Sequence, residues 1–189
     1  IRTAMANKDN ISGLLPDNCL NIIKNHTTIE YNDFSTVLGS KLLSMDTLDH
    51  IEGINQDLSN RIANNKYNFT DIETFIPMLQ SKNYTYSAIS RALLHIILDI
   101  KTDDIKEFVN NNYAMILGFT KKSGVLSEIS KSTKIPLVSK FATFYKEADN
   151  NQRKMLDINL KADNLYRMIY MNKTGETLPT EFQRQIIIF

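Results

Sequence analysis

Apolar residues recur at spacings of three and four along most of the chain. The pattern is clearest over residues 83–100, where Ala88, Ile89, Ala92, Leu93, Ile96, Ile97 and Ile100 share one helical face. Thr85 and Ser87 stand where an N-cap is needed, each able to accept a bond from an orphan amide of the first turn. Similar spacing predicts a helix over 17–24 after Leu14-Leu15-Pro16, and one over 31–44 capped by Asn32 or Asp33. A further helix, opened by Asp46 or Thr47, carries Leu48, Ile51, Ile54, Leu58 and Ile62. Gly53 falls inside that helix, where it costs about 1 kcal/mol relative to Ala and points to close packing. Thr70 and Glu73 have the spacing of a capping box, and the helix they open runs toward Gln80, with Pro77 either kinking it or replacing its first turn. Thr102-Asp103-Asp104 caps a short helix through Ile105, Phe108 and Val109. Past Asn112, short apolar runs at 113–119 and 135–138 flank a helical stretch at 123–132, which suits a parallel strand–helix–strand unit; an all-helical reading stays open. A last helix covers 152–171, and the apolar tail Ile186–Phe189 is expected to dock on the body. The predicted fold class is mainly α: a helical domain with at most a small two-stranded β unit in the second half.

Composition adds boundaries to that picture. Hydrophobic residues make up 42% of the 189 and charged residues 23%, ordinary values for a folded protein with a real core. No apolar run approaches the roughly 18 residues of a membrane span and no signal-peptide pattern opens the chain, so no membrane partner is expected. Cys19 stands alone, which excludes an internal disulfide and suits a reducing, cytoplasmic location. The net charge of +1 hides an asymmetry. Residues 27–81 hold three Lys/Arg against eight Asp/Glu, whereas residues 82–154 hold twelve against seven. The basic half permits contact with phosphate backbones, and equally a solvated surface.

Candidate chemistry is sparse. Ser87, Arg91, His95 and Asp99, each four apart, form one polar stripe beside the apolar face of the 83–100 helix, read either as a solvated edge or as a site. His26, His50 and His95 are widely separated with no second ligand at helical spacing, so no metal site is predicted. There is no Walker loop, no dinucleotide glycine fingerprint and no nucleophile–base pair; no catalytic residue is assigned. Tyr84 and Tyr86 could stack on bases or pack in the core. The densest basic stretch is 119–140, with Lys121, Lys122, Lys131, Lys134 and Lys140 against Glu128 alone.

Several segments resemble the tRNA(Met) cytidine acetate ligase family in the same order. Lys82, Tyr84, Thr85, Ile89, Arg91, Leu93, His95, Ile96, Ile97 and Leu98 fit its central motif, from which Ala88 departs where the family has a basic residue. Glu52-Gly53 with Arg61-Ile62 fits a second segment, and Leu117-Gly118-Phe119 with Gly124 and Pro136-Leu137-Val138 a third. Asp157, Ala162 and Leu165-Tyr166 fit a fourth, and Ile1-Arg2 matches the last two residues of the motif that closes the nucleotide-binding domain. The resemblance implies the C-terminal portion of such a nucleotidyltransferase-type ligase. Residues 1–12 would then be the tail end of the nucleotidyltransferase domain and 13–189 the C-terminal, mainly helical domain. Enzymes of this kind activate acetate with ATP as acetyl-adenylate and acetylate the wobble cytidine of elongator tRNA(Met). A portion lacking the main catalytic domain is expected to be inactive alone. Under the resemblance Ile1 and Arg2 edge the ATP site, while Lys82, Arg91, His95, Lys121 and Lys122 contact RNA. The alternative is a helical protein-interaction module with no nucleic-acid role.

Overall fold

The chain divides into two compact units, Ile1–Glu30 and Tyr31–Phe189. The computed structural model describes residues 1, 4–5, 9–108, 112–121 and 124–189. In the first unit, α1 (Asp17–Asn25) starts directly after Pro16, whose φ of −56° is set by its ring, and Asp17 meets the positive end of the helix dipole.

The second unit opens with a 3₁₀ turn, Tyr31–Phe34, that runs into α2 (Ser35–Ser44). Then come α3 (Gln56–Asn65), α4 (Ile72–Leu79), α5 (Tyr86–Leu98) and α6 (Thr102–Phe108). The apolar stripes of α2 to α5 meet in one core, in which Leu38, Ile62, Phe75, Ile76, Ile89, Leu93 and Ile96 are fully buried. Each such side chain is worth about 1.5–3 kcal/mol of removal from water, which makes the helical spacing a cohesive pattern. The central helix is the predicted one: Thr85 Oγ1 accepts from the Ala88 amide at 3.3 Å.

Three local expectations are corrected. Residues 46–54 are a turn-rich segment and not a helix. Gly53 has φ +79°, outside any right-handed helix, and α3 begins only after Asn55, whose Oδ1 caps Leu58 N at 3.0 Å. The segment is held from afar: Ile51 bridges Lys101 in antiparallel fashion, and Glu52 N donates to Ile100 O at 2.9 Å. The cap of α4 is Asp71 and not Thr70, with Asp71 Oδ1 accepting from Thr74 N at 2.9 Å. The other first-turn amides of α4 go to α2 and its approach, Ile72 N to Ser35 Oγ at 3.0 Å and Glu73 N to Asn32 Oδ1 at 3.1 Å. Asn32 therefore serves a different helix from the one it precedes. Pro77 lies within the second half of α4, which ends two residues later.

The second half supplies the strands. They are β1 (Ala114–Met115), β2 (Gly118–Phe119), β3 (Leu137–Val138) and β4 (Ile187–Ile188). The β1 and β3 pair is parallel, Ala114 opposite Leu137 and Met115 opposite Val138, with α7 (Val125–Ser132) between them in sequence. This is the expected strand–helix–strand unit. An addition to it is the tail, which docks as β4 parallel to β2, Gly118 opposite Ile187 and Phe119 opposite Ile188. Helices α8 (Phe141–Glu147) and α9 (Asn150–Thr174) complete the unit. Asp149 and Gln152 close a capping box on α9, and Gly175 ends it with φ +76°. A smaller core of Phe141, Ala148 and Leu156, joined by Tyr113 and Met115, ties α8 and α9 to the strands. The chain is mainly α.

Candidate functional site

The C-terminal end of α5 is where distant segments converge. Asp99 turns left-handed at φ +57° and ends the helix, and Ile100 N returns to His95 O at 3.0 Å. The strand-like residues that follow pair with 50–52, with Thr102 N donating to His50 O at 3.2 Å. His95 closes this arrangement from within the helix, its half-buried Nδ1 lying 2.7 Å from Glu52 O. A carbonyl partner requires Nδ1 to carry the proton, so in the neutral ring Nε2 is the acceptor.

Lysines gather at the same end. Lys161, from α9, places Nζ 2.6 Å from Leu98 O and so caps α5 in the way its dipole favours. Burial pushes the Lys161 ammonium below the usual lysine range. The nearby charges of Lys41 on α2 and Lys101 add to that effect, against Asp99, which opposes it. These positions come from three elements, at 41, 101 and 161 in the sequence, and no local spacing signals them. Lys41 occupies a position of the apolar periodicity of its helix, the one hint available.

The residues proposed from the sequence fall as follows. Ile1 is exposed, in the first unit. Arg2 and Lys122 lie outside the described residues, as does Val109. Lys82 occupies an exposed turn in which Ser81 and Tyr84 bridge, directly before α5. Arg91 is exposed on α5, one turn before His95, and pairs with no carboxylate among the described residues. Lys82, Arg91 and His95 thus share α5 and its approach, although His95 has its Nδ1 committed to the Glu52 carbonyl. Lys121 belongs to another element, exposed beyond β2 with its amide on Phe189 O at 3.2 Å. Of the two tyrosines, Tyr84 packs against the core and bonds Asn55 Oδ1, while Tyr86 is exposed.

A shallow cleft of about 240 Å³ lies elsewhere in the second unit, between β1 and α9. Tyr113, Met115 and Leu117 face Asn159, Asp163 and Arg184 across it. Burial raises the Asp163 carboxyl above its ordinary range while the charge of Arg184 opposes the rise. Arg184 itself pairs with Glu181 at 2.9 Å. Nothing in this cleft combines a nucleophile with a base. Among the described residues no three His, Cys, Asp or Glu side chains come together as a metal site would need. Among the same residues no helix is long and apolar enough to cross a membrane. The chemistry on offer is binding by exposed cations.

Known proteins resemble the chain over most of its length. The profile of the family described as HIGH nucleotidyl transferase matches residues 1–180. A tRNA(Met) cytidine acetate ligase of Thermoanaerobacter sp. strain X514 is 30% identical over 152 residues, 80% of this chain and 37% of that protein. One from Clostridium acetobutylicum is 27% identical over 197 residues, covering 100% of this chain and 47% of that protein. The crystal structure of apo Thermotoga maritima TmcAL superposes with a TM-score of 0.83 at 20% identity, over 100% of this chain and 49% of that one. The same protein bound with alpha-thio ATP gives a TM-score of 0.71 at 21% identity, over 84% and 42% respectively. At that identity the two structures establish the fold. The chain spans less than half the length of each of these relatives. With a family profile matched over nearly its whole length, the chain belongs to the HIGH nucleotidyl transferase family.

Proposed function

We propose that the chain is the RNA-holding, C-terminal portion of a tRNA(Met) cytidine acetate ligase. The observation that carries this reading is the match of ligases of that name to most of the chain, at about 30% identity in the case of Thermoanaerobacter. The exposed cations Lys82 and Arg91 on α5 and its approach support it physically. Under this reading the whole enzyme adenylates acetate with ATP and transfers the acetyl group to the wobble cytidine of elongator tRNA(Met). The described part supplies binding and no reacting group. Residues 1–12 are then the end of the nucleotidyltransferase domain, and Ile1 and Arg2 edge the ATP site. Two residues of a phosphate site hold a triphosphate poorly, so the chain alone is expected to show no micromolar ATP affinity by calorimetry.

Filter binding of elongator tRNA(Met) over a salt series tests the RNA reading. Affinity is expected to fall with salt, with a log–log slope of about −0.7 to −0.9 per phosphate neutralised. Replacing Lys82 and Arg91 with Gln should flatten the slope and leave thermal stability within about 0.5 kcal/mol, as befits exposed side chains. Absence of binding at low salt would overturn the reading and favour the helical interaction module.

A further inference from the structure

We infer that Lys41, Lys101 and Lys161 form a contact for the phosphate backbone of RNA at the C-terminal end of α5. The inference rests on the RNA reading above and assigns to it a set of residues that the sequence did not suggest.

Three ammonium groups are brought together here by α2, by the segment after α5 and by α9, with Asp99 acting on Lys161 and Asp104 beside Lys101, its Oδ2 accepting from Lys101 N at 2.9 Å. The end of a helix explains one of the three. Lys161 caps the Leu98 carbonyl, and a single cation satisfies the negative end of the dipole. Lys41 and Lys101 make no side-chain bond to a carbonyl or carboxylate among the described residues, so their convergence serves no fold contact seen there. Like charges held close repel. In Lys161 that repulsion adds to burial in weakening the protonated form, and the charge of a bound anion would offset the repulsion.

Geometry favours a long polyanion over a small phosphate. Lys161 spends one of its three donors on Leu98 O, which leaves two for an outside acceptor at a fixed position. Exposed cations then mark α5 from Lys82 before its first turn, through Arg91, to Lys101 after its last. Its 13 residues span about 20 Å at 1.5 Å each, the reach of several nucleotides. Asp99 stands at the end of that track as the one non-glycine residue with positive φ among the described residues. A left-handed backbone places its carboxylate at the helix terminus, where it limits the local positive charge.

The test is filter binding of elongator tRNA(Met) to the chain and to K41Q/K101Q, K161Q, K161R and D99N over one salt series, with urea midpoints taken alongside. K41Q/K101Q is expected to reduce the magnitude of the log–log slope by about 1.5, two phosphates' worth. K161R should bind as the unchanged chain does and K161Q more weakly. D99N removes the opposing charge while Asn still tolerates the left-handed backbone, so it should bind more tightly. If K161Q fails to fold, the double variant decides, since it leaves the Leu98 cap untouched. Unchanged slopes in K41Q/K101Q with RNA still bound, or weaker binding by D99N, overturn this contact and leave the RNA reading standing. No binding by the unchanged chain at low salt removes both.

Discussion

Replacing Gly53 with Ala separates two structures by the sign of a stability change. Inside a helix, as the apolar spacing of 48–62 suggests, the substitution would stabilise by about 1 kcal/mol. In the structure Gly53 has φ +79°, where an L side chain costs roughly 1–2 kcal/mol. Part of that is recovered because Ala also restricts the unfolded chain, by about 0.4–1 kcal/mol. Sterics add nothing, since the added Cβ would meet only His95 Nδ1 at 3.9 Å, an ordinary contact. The net expectation is a destabilisation of about 1 kcal/mol, so the two outcomes lie about 2 kcal/mol apart, more than a tenfold difference in the folding constant. Urea denaturation followed by circular dichroism measures it, with the m-value checked for constancy. Gly175→Ala is the reference, because Gly175 has φ +76° at the end of α9 and nothing within 4 Å of an added Cβ. A loss at Gly53 that exceeds the loss at Gly175 reports the pairing of 50–52 with 100–102 that the turn makes possible. A rise in the urea midpoint of Gly53→Ala would refute both the turn and the clasp that His95 makes to Glu52.

Two further outcomes follow from the second half of the chain. Gly118→Ala would put a Cβ 2.9 Å from the backbone oxygen of Ile187, so the tail should unpair; hydrogen exchange at the Ile187 and Phe189 amides should accelerate while α5 stays protected. Asp163 has its folded pKa raised by burial, so the folded state binds its proton more tightly than the unfolded chain does. The stabilisation from that proton is complete below the unfolded carboxyl range and is lost as pH rises through the folded value. Asp163→Asn should therefore stabilise the chain at neutral pH and lose its advantage on acidification, and thermal melts at both pH values check it.

Much of this fold is legible because local pattern and tertiary need agree. In α5 Ile89, Ala92, Leu93, Ile96 and Ile97 of the face that the spacing marks are buried, Ile100 is half-buried and Ala88 at the first turn is exposed, and the cap expected at Thr85 is made. The same reasoning fails at 46–54, where Leu48, Ile51 and Ile54 also repeat every three residues and are also buried. There the burial comes from pairing with residues fifty positions away, which short-range periodicity cannot register. The local misfit was nonetheless present: a glycine in a helix interior is a cost, and here its left-handed φ is the reason for it. The spacing marks Thr70 as the cap, whereas Asp71 makes it, and Asn32 and Ser35, distant in sequence, take the neighbouring amides that a local capping box would have served. The tail was legible as an apolar segment that docks. Its partner was not, since two residues at Gly118 and Phe119 carry no strand period, and the absence of a side chain at Gly118 is the feature that lets the tail approach.

The polar stripe of α5 shows why a site is harder to read than a fold. Ser87, Arg91, His95 and Asp99 lie on one line, and fourfold spacing treats them alike. Position along the helix divides them. Next to the 50–54 turn, Glu52 presents a carbonyl that needs a donor away from water, and His95 supplies it. One turn earlier Arg91 is exposed and pairs with no carboxylate among the described residues. One turn later the chain reverses, and Asp99 becomes, with Asp104, a carboxylate among lysines that three separate elements deliver. A single stripe therefore contains a structural clasp, an exposed cation and the counter-charge of a basic cluster. The elements that differentiate these roles are α2, α9 and the 50–54 turn, none of them adjacent in sequence to α5. Substitutions at His95 should consequently be read first as tests of the fold, and those at Arg91 and the three lysines as tests of binding.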